Sequence, residues 1–140
     1  MTSIKHTDFY NDVLKVLDYK FGIVFIFDGF VVSEIKEGVS FSWESHAQQI
    51  VKDVTDFTIC DGSNLVYISH RIYSYSLVPT DWLKFFTNSF ELKGYGVVGY
   101  HKISFINTVI ENLFFKKKIR RFISLESAIQ WAKSFDIVEA

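Results

Sequence analysis

The chain alternates between short runs dense in apolar residues and longer stretches in which apolar residues recur every three or four positions. Residues 23–27, IVFIF, have the β-branched and aromatic composition of a strand. Asp28-Gly29 follows, and then a second such run, FVVSEI at 30–35. An Asp-Gly pair between two strand-like runs predicts a hairpin closed by a type I′ turn, in which both turn residues need positive φ. Upstream, residues 8–20 carry mixed signals. Thr7 can cap a helical turn, while Val16, Asp18 and Lys20 alternate with Leu17, Tyr19 and Phe21. The expectation is a helical or irregular start that becomes a strand near residues 14–20.

Four helices are predicted downstream. Ser42 caps one over 43–57, with Trp43, Ala47, Ile50, Val51, Val54 and Phe57 along one face. Asp61-Gly62-Ser63-Asn64 reads as a loop, and LVYIS at 65–69 as the next strand. Thr80 caps a helix over 81–90, with Pro79 just outside it. YGVVGY at 95–100 reads as a strand, and glycines inside a strand mark close backbone approach. A helix over 103–115 and a short strand, IRRFI at 119–123, follow. Ser124 then caps a last helix over 125–135, with Leu125, Ala128, Ile129, Ala132 and Phe135 inward. The predicted order is an N-terminal antiparallel meander followed by α-β-α-β-α-β-α. Strands alternating with helices imply right-handed crossovers and parallel pairing, so the fold class is α/β with a mixed sheet.

Composition narrows this picture. At 140 residues, 49% of them hydrophobic and with 15 Phe, the chain suits one domain, 1–140, with a core that closes without disulfides or metals. The formal net charge of -1 gives no chain-wide attraction to nucleic acid, and no nucleic-acid partner is expected. Cys60 is the single cysteine, so neither an internal disulfide nor a Cys-x-x-Cys motif can form. The opening MTSIKHTDFYND has no apolar core of signal-peptide length, and no apolar run approaches the roughly 18 residues of a membrane span. These features together lead to the expectation of a soluble, cytoplasmic protein.

Three stretches resemble the SpoIIAA-like, or STAS, family, whose fold is compared structurally with CRAL-TRIO lipid-transfer domains. FVVSEIKEGVSFSWESHAQQIV is similar to that family's strand, turn and first helix. LVYISHRIYSYSLVPTDWLKFF is similar to its central strand, loop and second helix, and GYGVVGYHKISFINTVIENLFF with RRFISLESAIQWAK to its final β-α-β-α. The likeness covers about residues 23–134 and is nearest to small stand-alone bacterial members. It implies a SpoIIAA-like mixed sheet. In anti-sigma-factor antagonists of this family, the serine switched by phosphorylation lies where the central strand passes into its helix, in a D-S-[ST]-G-like motif. Ser74 and Ser76 occupy that region here and are the candidate phosphorylation sites, but the motif is replaced by YSYSLVP.

The stretch HRIYSYSLVPTDW at 70–82 therefore carries the candidate chemistry. Arg71 can pair with an anion, Tyr73 and Tyr75 can flank a flat or apolar group, and the helix start after Thr80 favours negative charge. With His70, Ser74, Ser76 and, from the next strand end, His101, these residues form the expected contact surface for a protein partner or a small apolar or anionic ligand. The plainer reading is a connector in which Thr80 caps, Pro79 sets the entry angle and the tyrosines pack with their hydroxyls wet. The expected function is a non-enzymatic regulatory or interaction module. One alternative is a carrier of an apolar or lipid-like ligand, held under helices 81–90 and 103–115. Another is a hydrolase, which needs a serine within reach of His70 or His101; no G-x-S-x-G elbow is present. His6, His46, His70 and His101 show no i, i+3 or i, i+4 pairing, so neither metal nor cofactor is expected. The run KKKIRR, with Lys116, Lys117, Lys118, Arg120 and Arg121, reads first as a complement to a helix C-terminus and a strand flank. Its alternative is contact with an anionic surface.

Overall fold

The computed structural model describes residues 3–59, 65–72, 76–77, 93–99 and 120–139. Two 3-10 turns, Ile4–His6 and Asp8–Asp12, lead into β1 (Lys15–Tyr19), so the mixed signals at 8–20 resolve into a turn and then a strand. β2 (Gly22–Ile26) and β3 (Phe30–Ile35) complete an antiparallel meander. β3 then pairs in parallel with β5 (Val66–Arg71), β5 with β7 (Gly94–Gly99), and β7 with β8 (Arg120–Phe122). The six-stranded sheet has the order β1-β2-β3-β5-β7-β8. A separate two-stranded parallel ladder joins β4 (Ser40–Phe41) to β6 (Ser76–Leu77). The predicted helices 81–90 and 103–115, and the ligand pocket imagined beneath them, lie outside the described residues.

Side chains alternate between two apolar layers. Phe25, Phe30, Val32, Val66, Ile68 and Val98 share one cluster with Ile4 and with the inward face of α2 (Leu125–Glu139). Val24, Ile26, Val31, Tyr95 and Val97 face the other way and cluster with Ile50 and Val54 of α1 (Gln48–Thr58). All six residues of β3 and all six of β7 are buried, as parallel strands covered on both faces must be. Ser124 caps α2 through its Oγ, which accepts from Ser127 N at 3.1 Å. Leu125, Ala128, Ile129 and Ala132 of α2 are buried as the periodicity predicts, with Phe135 packed against them.

Two local expectations are corrected. Phe27 N donates to Phe30 O at 2.8 Å across Asp28-Gly29, so the hairpin forms. Gly29 has φ 86°, but Asp28 is not left-handed, and the turn is not type I′. Glycine takes the left-handed position without a Cβ penalty, which leaves Asp28 in an ordinary conformation. The Gly29 carbonyl also accepts from Val66 N at 3.1 Å, so β5 holds the turn from the far side. Secondly, the helix after Ser42 opens as a π-helical turn, Trp43–Ala47, before α1 begins, with Ala47 N donating to Ser42 O at 3.0 Å. Trp43, Ile50 and Val54 are buried as expected, whereas Phe57 in the last turn is exposed.

The strand glycines answer to a helix. A Cβ on Gly94 would stand 2.9 Å from Trp131 Cη2, and one on Gly96 would stand 3.0 Å from Trp131 Cζ3 and 3.3 Å from Phe122 Cε2. Trp131 thus lies directly on the backbone of β7. Gly96→Ala is expected to cost about 1–3 kcal/mol through overpacking, measured by urea unfolding, and the loss should shrink when Trp131→Leu is added. Ile59, which caps α1 in the left-handed conformation at φ 54°, is 88% exposed. Because the side chain is so exposed, Ile59→Gly should raise stability by about 0.5–1 kcal/mol in the same assay.

Candidate functional site at the carboxyl edge

β3 and β5 run parallel and are apolar for most of their length, but both turn polar at their carboxyl ends. β3 ends in Ser33-Glu34-Ile35, and β5 in Ser69-His70-Arg71. Ser33 is the register partner of Ser69. Strand alternation sends Glu34 and His70 to the layer of Ile4 and α2, and Ser33, Ser69 and Arg71 to the layer of α1. All five polar residues are buried.

Glu34, only 6% exposed, gathers three partners. Ser3 Oγ donates to Oε1 at 2.6 Å, Ile4 N donates to Oε2 at 2.8 Å, and His70 Nδ1 lies 3.0 Å from Oε2. Burial alone raises the carboxyl pKa. The hydrogen bonds from His70, Ser3 and Ile4 outweigh it and hold Glu34 below its ordinary range. Facing an ionised carboxylate, His70 Nδ1 carries the proton and donates, which fixes both tautomer and ring orientation. The N-terminal turn is anchored through the same group, since Ile4 is fully buried and its amide rests on Glu34.

On the opposite face Arg71 Nε donates to Ser69 Oγ at 3.0 Å, and Ser33 Oγ and Tyr67 OH share a bond of 2.6 Å. The β4–β6 ladder sets Ser40 beside Ser76, which ties the segment after β5 to the segment after β3. The two parallel strands and their outgoing segments therefore converge at one end of the sheet, the place where open α/β sheets hold ligands.

This geometry changes the expected site. His70 and Arg71 belong to the strand and not to the loop that follows it, and each is 1% exposed. Polar residues after an apolar run resemble a connector in sequence, but the ladder to Val98 and Gly99 continues through both. Ser76 lies in β6, again a strand where a loop was expected. Tyr73, Ser74, Tyr75, Thr80 and His101 lie outside the described residues, as do Lys116, Lys117 and Lys118. Arg120 and Arg121 lie within β8 and are exposed. Sequence reasoning missed Glu34, Ser33, Ser69 and Ser3. The signal was present in FVVSEI, where a serine and a glutamate interrupt a run otherwise fit for complete burial.

Ser3, Glu34 and His70 resemble a triad in composition only. The serine and the histidine both bond the carboxylate, whereas a nucleophilic serine must bond the histidine. His46 is packed against β4: its Nδ1 accepts from Ser42 N at 3.0 Å, and its ring stacks on Phe41. Desolvation lowers its pKa. Between β1 and α1 lies an open groove of about 550 Å³, bordered by Tyr19, Phe21, Gln48 and Lys52. There Tyr19 OH donates to Asp53 Oδ2 at 2.6 Å.

The arrangement of strands matches a crystal structure of an uncharacterised protein of the DUF3478 family from Shewanella loihica PV-4, described as having a SpoIIAA-like fold. The match covers 84% of this chain and 90% of the other, with a TM-score of 0.55 and 12% sequence identity. The fold is SpoIIAA-like. No protein-family model matches the sequence, and no curated protein matches it. Within this SpoIIAA-like sheet the meander and the parallel run correspond to the order read from the sequence. Among the described residues no helix is long and apolar enough to cross a membrane.

Glu34 supplies a pH signature. Its folded pKa is below the unfolded one, so it contributes stability above the unfolded value and loses that contribution as pH falls through the folded value. Glu34→Gln is expected to cost about 3 kcal/mol at neutral pH, because it leaves His70 and the Ile4 amide facing a neutral amide. The deficit relative to wild type should shrink as pH drops below about 4.3, read from urea midpoints at several pH values.

Proposed function

We propose that this chain is an interaction module, without catalytic chemistry of its own, that binds a protein partner or a small ligand at the carboxyl edge of β3, β5 and β7. The observation that carries the reading is the set of buried polar side chains at that edge of an otherwise apolar sheet, Glu34 with His70 on one face and Ser69 with Arg71 on the other. Burying a carboxylate, an imidazole and a guanidinium is a poor route to stability, since apolar residues of similar volume commonly serve as well or better. Clusters of this kind concentrate at functional sites. The SpoIIAA-like fold supports a regulatory or interaction role, and the doubled carboxylate bonding of Glu34 supports a positioning role for it over a chemical one.

In this reading His70 on one face of β5 and Arg71 on the other brace the end of the strand, and Tyr73, Ser74, Tyr75, Ser76, Thr80 and His101 supply the contact surface. A phosphate on Ser74 or Ser76 would add roughly -1.5 to -2 charge and switch the contact.

The test is a mass comparison on protein purified from its own host. Intact mass under denaturing conditions reports covalent phosphate, and intact mass under native conditions reports bound ligand. Affinity purification of wild type and of the Ser74→Ala/Ser76→Ala double variant, matched for melting temperature, then reports the partner. The expected result is a protein or small molecule retained by wild type and lost from the double variant. Identical retention by both would refute this assignment of the surface.

A further inference from the structure

Ser3 and Ile4 meet the carboxyl edge of β3 as a bound segment would. The turn that they open, Ile4–His6, adds no strand to the sheet. Ser3 Oγ and Ile4 N each donate to one oxygen of the Glu34 carboxylate. The Ile4 side chain is fully buried and joins the core cluster with Phe25, Val32 and Ile68. Lys5 and His6, the rest of the turn, are exposed. The next turn, Asp8–Asp12, has no buried residue; Phe9 packs partly against the cluster, and Tyr10 lies edge-on to Phe25. A hydroxyl, the following amide N–H and an aliphatic side chain thus converge on one buried acceptor and one apolar socket. Peptide-recognition sites read their ligands in this way, with main-chain bonds for affinity and a side-chain pocket for specificity.

The attachment is also suited to release. When this turn detaches, Glu34 keeps its bond to His70 at 3.0 Å, and water takes the places of the hydroxyl and the amide. Opening uncovers one fully buried side chain, Ile4, with the partly buried Phe9 behind it. The ladders of β3 are untouched, because Ser3 and Ile4 belong to none of them. Segments with so few buried contacts open locally, well below the free energy of global unfolding. The helix on the same layer is different, since α2 gives Leu125, Ala128, Ile129 and Ala132 to the cluster. As a purely structural anchor, an apolar residue at position 34 would serve as well or better. A carboxylate adds discrimination over what sits on it.

We propose that residues 3–6 are an internal stand-in for a partner: they occupy in cis a peptide-binding site made by Glu34 and the Ile4 socket, and they give way to a partner segment with the same order of groups, a serine or threonine followed by an aliphatic residue. The inference rests on the interaction-module reading and names the class of partner and its control. Binding is reduced by the fraction of molecules in which the turn is closed, so whatever weakens the turn's hold strengthens binding.

The experiment has two arms, both on the full chain. Native-state amide exchange, followed by NMR, compares Ile4 with Val32 and Ile68. The expected result is exchange at Ile4 about 100-fold faster than at the two core-strand amides. In the second arm an N-acetylated peptide of residues 3–12, SIKHTDFYND, labelled at its far end, is titrated into wild type, Ser3→Ala and Ser3→Ala/Ile4→Ala. Fluorescence anisotropy should show roughly tenfold tighter binding to the double variant than to wild type, with Ser3→Ala between them. A peptide carrying Ile4→Ser should not bind. If the double variant loses its native circular dichroism, Ser3→Ala, at a half-buried position, carries the comparison. Exchange at Ile4 in step with Val32 and Ile68 overturns the proposal. So does rapid exchange without peptide binding, which reduces the turn to a frayed end. Equal affinity across the three proteins, or binding that ignores Ile4→Ser in the peptide, overturns it as well. A host partner retained by Ser74→Ala/Ser76→Ala removes the loop assignment without moving either readout, whereas a turn that stays closed removes this proposal and leaves partner capture by the loop intact.

Discussion

A sheet whose middle strands run parallel has to be covered on both faces, and this requirement organises the molecule. β3 and β7 have no exposed residue, so any polar side chain placed there must find its partners inside the protein. Glu34 is the severest case. It is a buried carboxylate at the carboxyl end of β3, and it is satisfied because the N-terminal turn brings a hydroxyl and an amide to it while β5 brings an imidazole. The turn that completes this bonding also lowers Ile4 into the core. Hydrogen bonding and apolar packing are here two consequences of one placement, and the lid over that end of the sheet follows from both.

The α2 part of this same layer is built on approach distance. Glycines at 94 and 96 let Trp131 settle on the backbone of β7, and Phe135 and Phe122 pack around its indole. A bulky helix face on a bare strand gives α2 a contact that depends on shape more than on area. This fixes the position of β8 and, with it, of the exposed rim beyond.

The parts of this structure that sequence reasoning reached are those with period and punctuation. FVVSEI became β3 residue for residue, the inward face of α2 was read from its spacing, and the glycines of β7 were understood as sites of close contact. The candidate site was legible only in outline. Its region was located, but the end of β5 was placed two residues early, because composition separates strand from loop by polarity and a parallel sheet can carry polar residues inside. Glu34 went unremarked for a related reason: within its own segment it is one charged residue, and only the pairing of β3 with β5, a long-range fact, sets it beside His70. The turn at Asp28-Gly29 shows the same limit on a smaller scale, since β5 reaches its glycine carbonyl from across the sheet.

The shared cluster of Ile4 with Phe122, Leu125, Ala128, Ile129 and Ala132 bears on how the chain reaches this state. The first turn and the last helix complete the same layer, although more than a hundred residues separate them in sequence. A ribosome-bound chain can form the β1–β3 meander early, but that layer stays open until α2 has emerged. Loop closure over such a span is slow, and apolar surface waits uncovered in the meantime. During synthesis the meander's inner face, with Phe25, Phe27 and Phe30, is therefore the surface that a chaperone would meet first.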